Sequence, residues 1–456
     1  MAHPLRRSFS MIAEFTLLAA AAFSFACTAA HGQSADSATP KPIVATIDAQ
    51  QTAPPISKYE FGMFIEHIGP LVYRSLWSEM LDDRKFYFPI VSKAEDTAGH
   101  PASGGFRGMT LRKWRPVGPD DTVVMDKENP FVGEQSPRIE LDSSTLHGVR
   151  QSGLALVKGK RYTGHIWLRG TPGARVKVAL IWGESTNDRQ TIALPSLPAA
   201  YKEFPLSFTA QADTAEGAFE IAGTGTGNFH IGTVSLMPAD NVDGFRPDTI
   251  ALLRQLHSGF WRLPGGNFLS DWSWYNGIGD RDKRPPTFDY AWNAMQSNDV
   301  GLDEFMTLCR LIGTEPYITV NAGFGDAHSA GEEVEYMNGS VNTRLGAMRA
   351  RNGHPQPYHV KFWDIGNEPY GAWQLGRTDL KYYVLKHNEF AAAMRKADPS
   401  ITLLASGNMP EPMDLTGEMR AKDADNMKAV EGTPEDWTGG EIEHCWGNFS
   451  GITQHW

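Results

Sequence analysis

Apolar positions along the chain follow two different periods. Between Gly105 and Asp240 they alternate with polar ones in short runs such as Tyr162–Leu168, Val176–Trp182 and Phe204–Phe208, separated by Gly, Pro, Asn and Asp. Period-two alternation marks strands with one buried face, and seven or eight such runs in about 135 residues predict a β-sandwich. From Arg246 onward the texture changes. Helical spacing fits Pro247–Leu256, Leu302–Ile312, Ser329–Met337 and Asp379–Ala397, and strand-like runs fit Gly259–Leu263, Pro316–Val320, Val360–Ile365, Ile401–Ala405 and Gly451–His455. Strand and helix in regular succession predict a parallel sheet with helices packed outside it. An earlier run, Tyr59–Glu66, supplies its first strand.

Polar residues bunch where the predicted parallel strands end. Arg262 runs into Leu263-Pro264-Gly265-Gly266-Asn267, Ile365 into Gly366-Asn367-Glu368, and the last strand into Gln454-His455-Trp456. Such clustering on one side is the pattern of a (β/α)8 TIM barrel's active face. The expected fold class is therefore α/β, an incomplete TIM barrel with about six strands and an inserted all-β sandwich. The boundaries read as a signal peptide at 1–32, a linker at 33–45, the first barrel strand and loop at 46–104, the sandwich at 105–240 and the continued barrel at 241–456. Within the sandwich, Gly223-Thr224-Gly225-Thr226-Gly227 superficially resembles a dinucleotide fingerprint, but a strand follows it, so it reads as a glycine-rich hairpin turn.

Composition narrows the function classes. The 456 residues carry 42 Lys and Arg against 53 Asp and Glu, a net charge of −11, the wrong balance for a nucleic-acid partner. Arg6 and Arg7 precede an apolar run from Phe15 to Ala30, followed by small residues around Gly32, which predicts export to the periplasm or exterior rather than a membrane span. Lipid attachment at Cys27 is the lesser alternative, because Ser24 stands where a lipoprotein signal prefers Leu. Cys309 falls in an amphipathic helical pattern, and no cysteine has metal-ligand spacing. No zinc, nucleophile-elbow or phosphate-loop motif occurs, so neither metal nor cofactor is expected.

Glu368 is the leading chemical candidate. A carboxyl at a strand end, with Trp373 nearby, has its pKa raised by desolvation and serves as a general acid. Glu66 closes the first strand and is either a ligand-binding group or the start of a solvated loop. Asn267, after two glycines, suits hydrogen bonding to a hydroxyl, or is a turn asparagine. Arg262 is expected to pair with a carboxylate beneath the site. Trp272 and Trp274, in the loop after the second strand, shape a subsite or pack in the core. His455, taken alone, is as compatible with a satisfied core histidine.

Several long motifs in register resemble a known family. Phe61-Gly62-Met63-Phe64-Ile65-Glu66-His67, Arg262-Leu263-Pro264-Gly265-Gly266-Asn267-Phe268, Asn276-Gly277-Ile278-Gly279-Asp280-Arg281-Asp282-Lys283-Arg284-Pro285 and Trp363-Asp364-Ile365-Gly366-Asn367-Glu368 are similar to those of the α-L-arabinofuranosidases of glycoside hydrolase family 51. The resemblance spans about residues 56–90 and 241–456 and implies a retaining double displacement. Glu368 matches the family's acid/base. Glu66, Asn267 and Asn367 match residues that hold the arabinofuranose hydroxyls, and His455 matches a histidine lining the pocket. Trp272, Trp274 and Trp373 are possible subsite residues. Leu263 replaces a common tryptophan, and Pro369-Tyr370 follows the acid/base where many members carry Met-Asp.

Counting strands, Glu368 follows the fourth and His455 ends the sixth, whereas the family's nucleophile ends the seventh. No residue of this chain is assigned as nucleophile, and the expectation is an inactive fragment of a longer enzyme. The implied partner is an arabinose-containing plant cell-wall polysaccharide or oligosaccharide, with homo-oligomerisation of a full-length protein left open. Two alternatives stand beside this: a non-catalytic carbohydrate-binding protein with a degenerate barrel, or a related β-xylosidase or endoglucanase.

Overall fold

The computed structural model describes residues 48, 50, 52–97, 111–408 and 436–455; the predicted signal peptide, linker and Cys27 lie outside them. The described residues from Ile56 onward form one compact unit. Its first strand, β1, is only Met63–Phe64, because Lys58–Phe61 winds into a 3-10 turn instead of extending the strand. A short helix, Leu71–Ser75, follows.

Ten antiparallel strands come next, more than the alternation alone suggested. They are β2 (Trp114–Val117), β3 (Val123–Asp126), β4 (Ser136–Glu140), β5 (His147–Leu156), β6 (Arg161–Gly170), β7 (Ala174–Ile181), β8 (Arg189–Ala193), β9 (Lys202–Thr209), β10 (Thr214–Gly225) and β11 (Asn228–Pro238). They form two five-stranded sheets, β2-β5-β10-β7-β8 and β3-β4-β11-β6-β9. Phe204, Leu206 and Phe208 of β9 and Val176, Val178 and Leu180 of β7 point into one shared core, as period-two patterning requires. The glycine-rich turn joins β10 to β11, which lie in different sheets, so it crosses the sandwich rather than closing a hairpin. Gly225 and Gly227 take φ of +124° and +80° there, a left-handed path that other residues rarely follow.

The remaining strands return to the parallel sheet: β12 (Phe260–Arg262), the small hairpin β13 (Thr287–Asp289) and β14 (Ala294–Gln296), then β15 (Glu315–Val320), β16 (Phe362–Ile365), β17 (Thr402–Ser406) and β18 (Gly451–Thr453). Five of these join β1 in the order β1-β12-β15-β16-β17-β18, all paired in parallel and curling through 199°, an incomplete TIM barrel, while β13 and β14 pair only with each other. Helix Leu302–Ile312 illustrates why the sequence folds locally as it does. Glu304 accepts from the Gly301 N–H at its start, Gly313 ends it in the left-handed conformation, and Phe305, Leu308 and Cys309 bury one face against the sheet. Helices Arg344–Arg351 and Trp437–His444 were not anticipated. Among the described residues, no helix is long and apolar enough to cross a membrane.

Buried charge joins the sandwich to the barrel. Arg84 holds Asp299 through two hydrogen bonds of 2.7 Å and Asp282 through one of 2.8 Å, and Lys85 adds an ion pair to Asp299 at 2.9 Å. The other oxygen of Asp282 is met from β6 by His165 at 2.7 Å and by the indole N–H of Trp167 at 2.9 Å. Trp167 is thus turned toward the barrel, and Trp182 is buried.

Candidate active site

Parallel pairing places every strand's C-terminal end on one edge of the sheet, and the polar residues beyond those ends meet there. Glu368 follows β16 with φ of +43°, just after Gly366 at +85°. A left-handed glutamate is uncommon and needs support from its surroundings. Its N–H donates to the Ser406 hydroxyl at 3.1 Å. The Tyr383 hydroxyl donates to the Ile365 carbonyl at 2.7 Å and accepts from the Ser406 N–H at 3.1 Å, tying the ends of β16 and β17 together.

The Glu368 carboxyl lies 2.8 Å from His455 Nδ1 through Oε1 and accepts the Trp373 indole N–H at 2.6 Å through Oε2. Desolvation was expected to raise its pKa. Burial does push it up, but the hydrogen bond and charge of His455, with Trp373 and Arg262, outweigh burial and hold it below the ordinary carboxylate value. The expectation fails because the sequence could not show which cation would face the carboxyl.

Glu66 lies two residues beyond β1. Its Oε1 accepts the Phe268 backbone N–H at 2.9 Å and the Trp292 indole N–H at 2.5 Å. Burial raises its pKa against these donors and the charge of Arg262. Gly266, at φ +70° and ψ −164°, makes this approach possible: a Cβ there would sit 2.0 Å from the Glu66 carboxyl carbon. Asn267 accepts from the Asn367 side-chain amide at 3.0 Å, and Asn367 accepts from Arg262 at 3.0 Å. Arg262 also donates to Thr319 at 2.7 Å and lies 3.4 Å from Asp364, the carboxylate beneath the site.

Glu66, Asn267, Asn367, Glu368, His455 and Trp373 are therefore joined in hydrogen-bonded clusters along one rim. Trp272 and Trp274 are not among them; both rings are buried in the barrel core, with their N–H groups on Asn298 and Ser329. The sequence reading missed Trp292, Ser406 and Tyr383. It also missed Asp289, which burial, with the charge of Glu66 nearby, pushes up to about 7. Trp292 sits in the turn of the β13–β14 hairpin, where no periodicity marks it. The arrangement supplies hydrogen-bonding groups for a polyhydroxylated ligand, next to a carboxyl able to exchange a proton.

Residues 252–437 match the family model of the α-L-arabinofuranosidase 1 domain. Over 170 residues the chain is 39% identical to the probable α-L-arabinofuranosidase C of Aspergillus clavatus, covering 37% of this chain and 34% of that one. Over 171 residues it is 37% identical to the intracellular exo-α-(1→5)-L-arabinofuranosidase of Acetivibrio thermocellus, covering 38% and 34%. The chain thus aligns with about a third of the length of these curated relatives. The arabinose-bound MgGH51 α-L-arabinofuranosidase shares its fold, with a TM-score of 0.62 at 20% identity over 78% of this chain and 60% of that one.

Proposed function

Starting from a chain that is a partial homologue of the family 51 α-L-arabinofuranosidases, we propose an exported glycoside hydrolase that releases terminal α-L-arabinofuranosyl residues from arabinose-containing polysaccharides. The observation that carries this is the rim on which Glu66, Asn267, Asn367 and Glu368, from the ends of three different strands, face one region. In this reading Glu66, Asn267 and Asn367 hold the sugar hydroxyls, and Glu368 is the acid/base of a retaining double displacement. Glu368 needs a proton when the leaving oxygen arrives. A sugar seated against it removes the remaining water and adds to burial, the influence that already pushes its pKa up. In the second step His455 favours the ionised form of Glu368, the form in which it accepts a proton from water.

Retention also needs a second carboxyl about 5–5.5 Å from the first. By strand count none of the described residues takes that role, and among them the groups hydrogen-bonded to Glu368 are His455, Trp373 and Ser406. We therefore expect these 456 residues to bind L-arabinose without turning over a 4-nitrophenyl α-L-arabinofuranoside beyond the level of Glu368→Gln. Asn267→Ala should abolish arabinose binding measured by calorimetry. Absence of binding to the wild-type protein would sink the reading, and preference for xylose would redirect it to a xylosidase.

A further inference from the structure

Next to the acid/base loop lies a cavity of about 280 Å³, between the segment after β12 and the first turns of helix Ala327–Asn338. Asp271, Trp274, Asn321, Phe324, Asp326 and Glu333 line it. Ser270, between the lining residues Leu269 and Asp271, receives a hydrogen bond from Gln374, and the adjacent Trp373 donates to Glu368, so one residue separates the cavity lining from the acid/base loop. Phe324, at the start of the loop, is 64% exposed. Glu333 is only 2% exposed, and its Oε1 has no hydrogen-bond partner.

A buried carboxyl oxygen without a partner costs stability and needs an explanation. Burial pushes Glu333 up to about 8, so near neutral pH the group is uncharged and both donates and accepts. Among the described residues no three His, Cys, Asp or Glu side chains converge as a metal site does, and the charge of Lys386 acts on Asp326 rather than on Glu333. Asp271 and Asp326 disfavour an anion. A neutral donor-acceptor group in the floor, Ser329 beside it and a flat exposed aromatic at the rim match a ligand with hydroxyls on its edge and C–H groups on its face.

We infer that this cavity is a second subsite, which binds a neutral sugar residue of the same polysaccharide whose terminal arabinofuranosyl unit reaches Glu368. The inference rests on the reading proposed above and deepens it. Glu333 supplies the buried hydrogen bond, and Phe324 supplies the stacking face.

The test compares L-arabinose, which fills the Glu368 region alone, with arabinopentaose, by calorimetry on the intact chain. Wild-type protein should bind the pentaose about tenfold more tightly than arabinose. Phe324→Ala, an exposed substitution, and Glu333→Leu should each erase that advantage and leave arabinose affinity unchanged. Glu333→Leu should also raise the melting temperature, since it removes an unpartnered buried carboxyl, so lost binding would not reflect lost folding. Arabinose binding with no pentaose advantage would overturn the subsite and leave the active site standing. An advantage that survives both substitutions would overturn it too, leaving the cavity to water. Failure of both sugars to bind would overturn both readings.

Discussion

Two sets of buried carboxyls in this molecule are treated in opposite ways. At the junction between sandwich and barrel, Asp282 and Asp299 meet Arg84, Lys85 and His165, and these cations hold both pKa values well below the ordinary range despite burial. On the rim of the parallel sheet, Glu66, Asp289 and Glu333 are buried with neutral donors or none, and all three are pushed up. The first set is ionised and spent on cohesion. The second keeps unmet hydrogen-bonding capacity that a ligand is able to use. Glu368 lies between the two, buried like the rim acids but paired with His455.

The contrast breaks most severely at the junction. Asp299→Asn leaves Arg84 and Lys85 buried beside a neutral amide, and a broken buried pair costs about 3–5 kcal/mol. Urea unfolding should show a loss of that size; a loss below 1 kcal/mol would mean that the network contributes little.

Titration separates the two sets next. Burial pushes Glu333 up to about 8 and Asp289 up to about 7, above their ordinary values, so on their account the fold is most stable in acid, where both are neutral, and loses stability as pH rises through neutrality. His165, raised mainly by Asp282 against desolvation, acts in the same direction. The junction aspartates are depressed, so their contribution persists at neutral pH and fades only when pH falls below the usual carboxylate range. Melting temperatures should therefore decline from about pH 5 to pH 8. Glu333→Gln together with Asp289→Asn should flatten part of that slope, the rest coming from other buried acids pushed up by desolvation, Asp83 (to about 7) and Glu441 among them. An unchanged slope would place the titration elsewhere.

Much of this was legible from apolar spacing. Helix Leu302–Ile312 was bounded correctly, because its stripe and its glycine cap agree. Helix Arg344–Arg351 was not foreseen, because four of its eight residues are Arg or Gly and its buried face is narrow. The candidate site residues were found from strand ends and motifs, but their electrostatics were not. The lowered pKa of Glu368 depends on His455, 87 residues away in the chain. Likewise, nothing in the spacing of Trp292 predicts that a hairpin turn would carry it to Glu66.

Smaller changes sharpen the comparison on the rim. Gly266→Ala would force a side chain into a backbone region nearly confined to glycine and against Glu66, costing about 1–3 kcal/mol. Arabinose binding should fall more than stability, because the displaced group is Glu66 itself. Trp373→Phe removes one hydrogen bond from Glu368, a loss of about 1 kcal/mol. It should leave the fold intact and shift the Glu368 titration upward, measurable from its carboxyl carbon resonance.

The grip on Asp282 also bears on whether the molecule can be simplified. A sandwich inserted in a barrel invites excision as a cassette, with a short linker in its place. Here the excised strands would take His165 and Trp167 away from Asp282, and Ser235 with the Leu236 N–H away from Glu79. Two acids settled by the insert would be left without those donors inside the remaining protein. A minimal barrel would have to replace Asp282 and Glu79 as well, so the sandwich and its host have to be redesigned as a single piece.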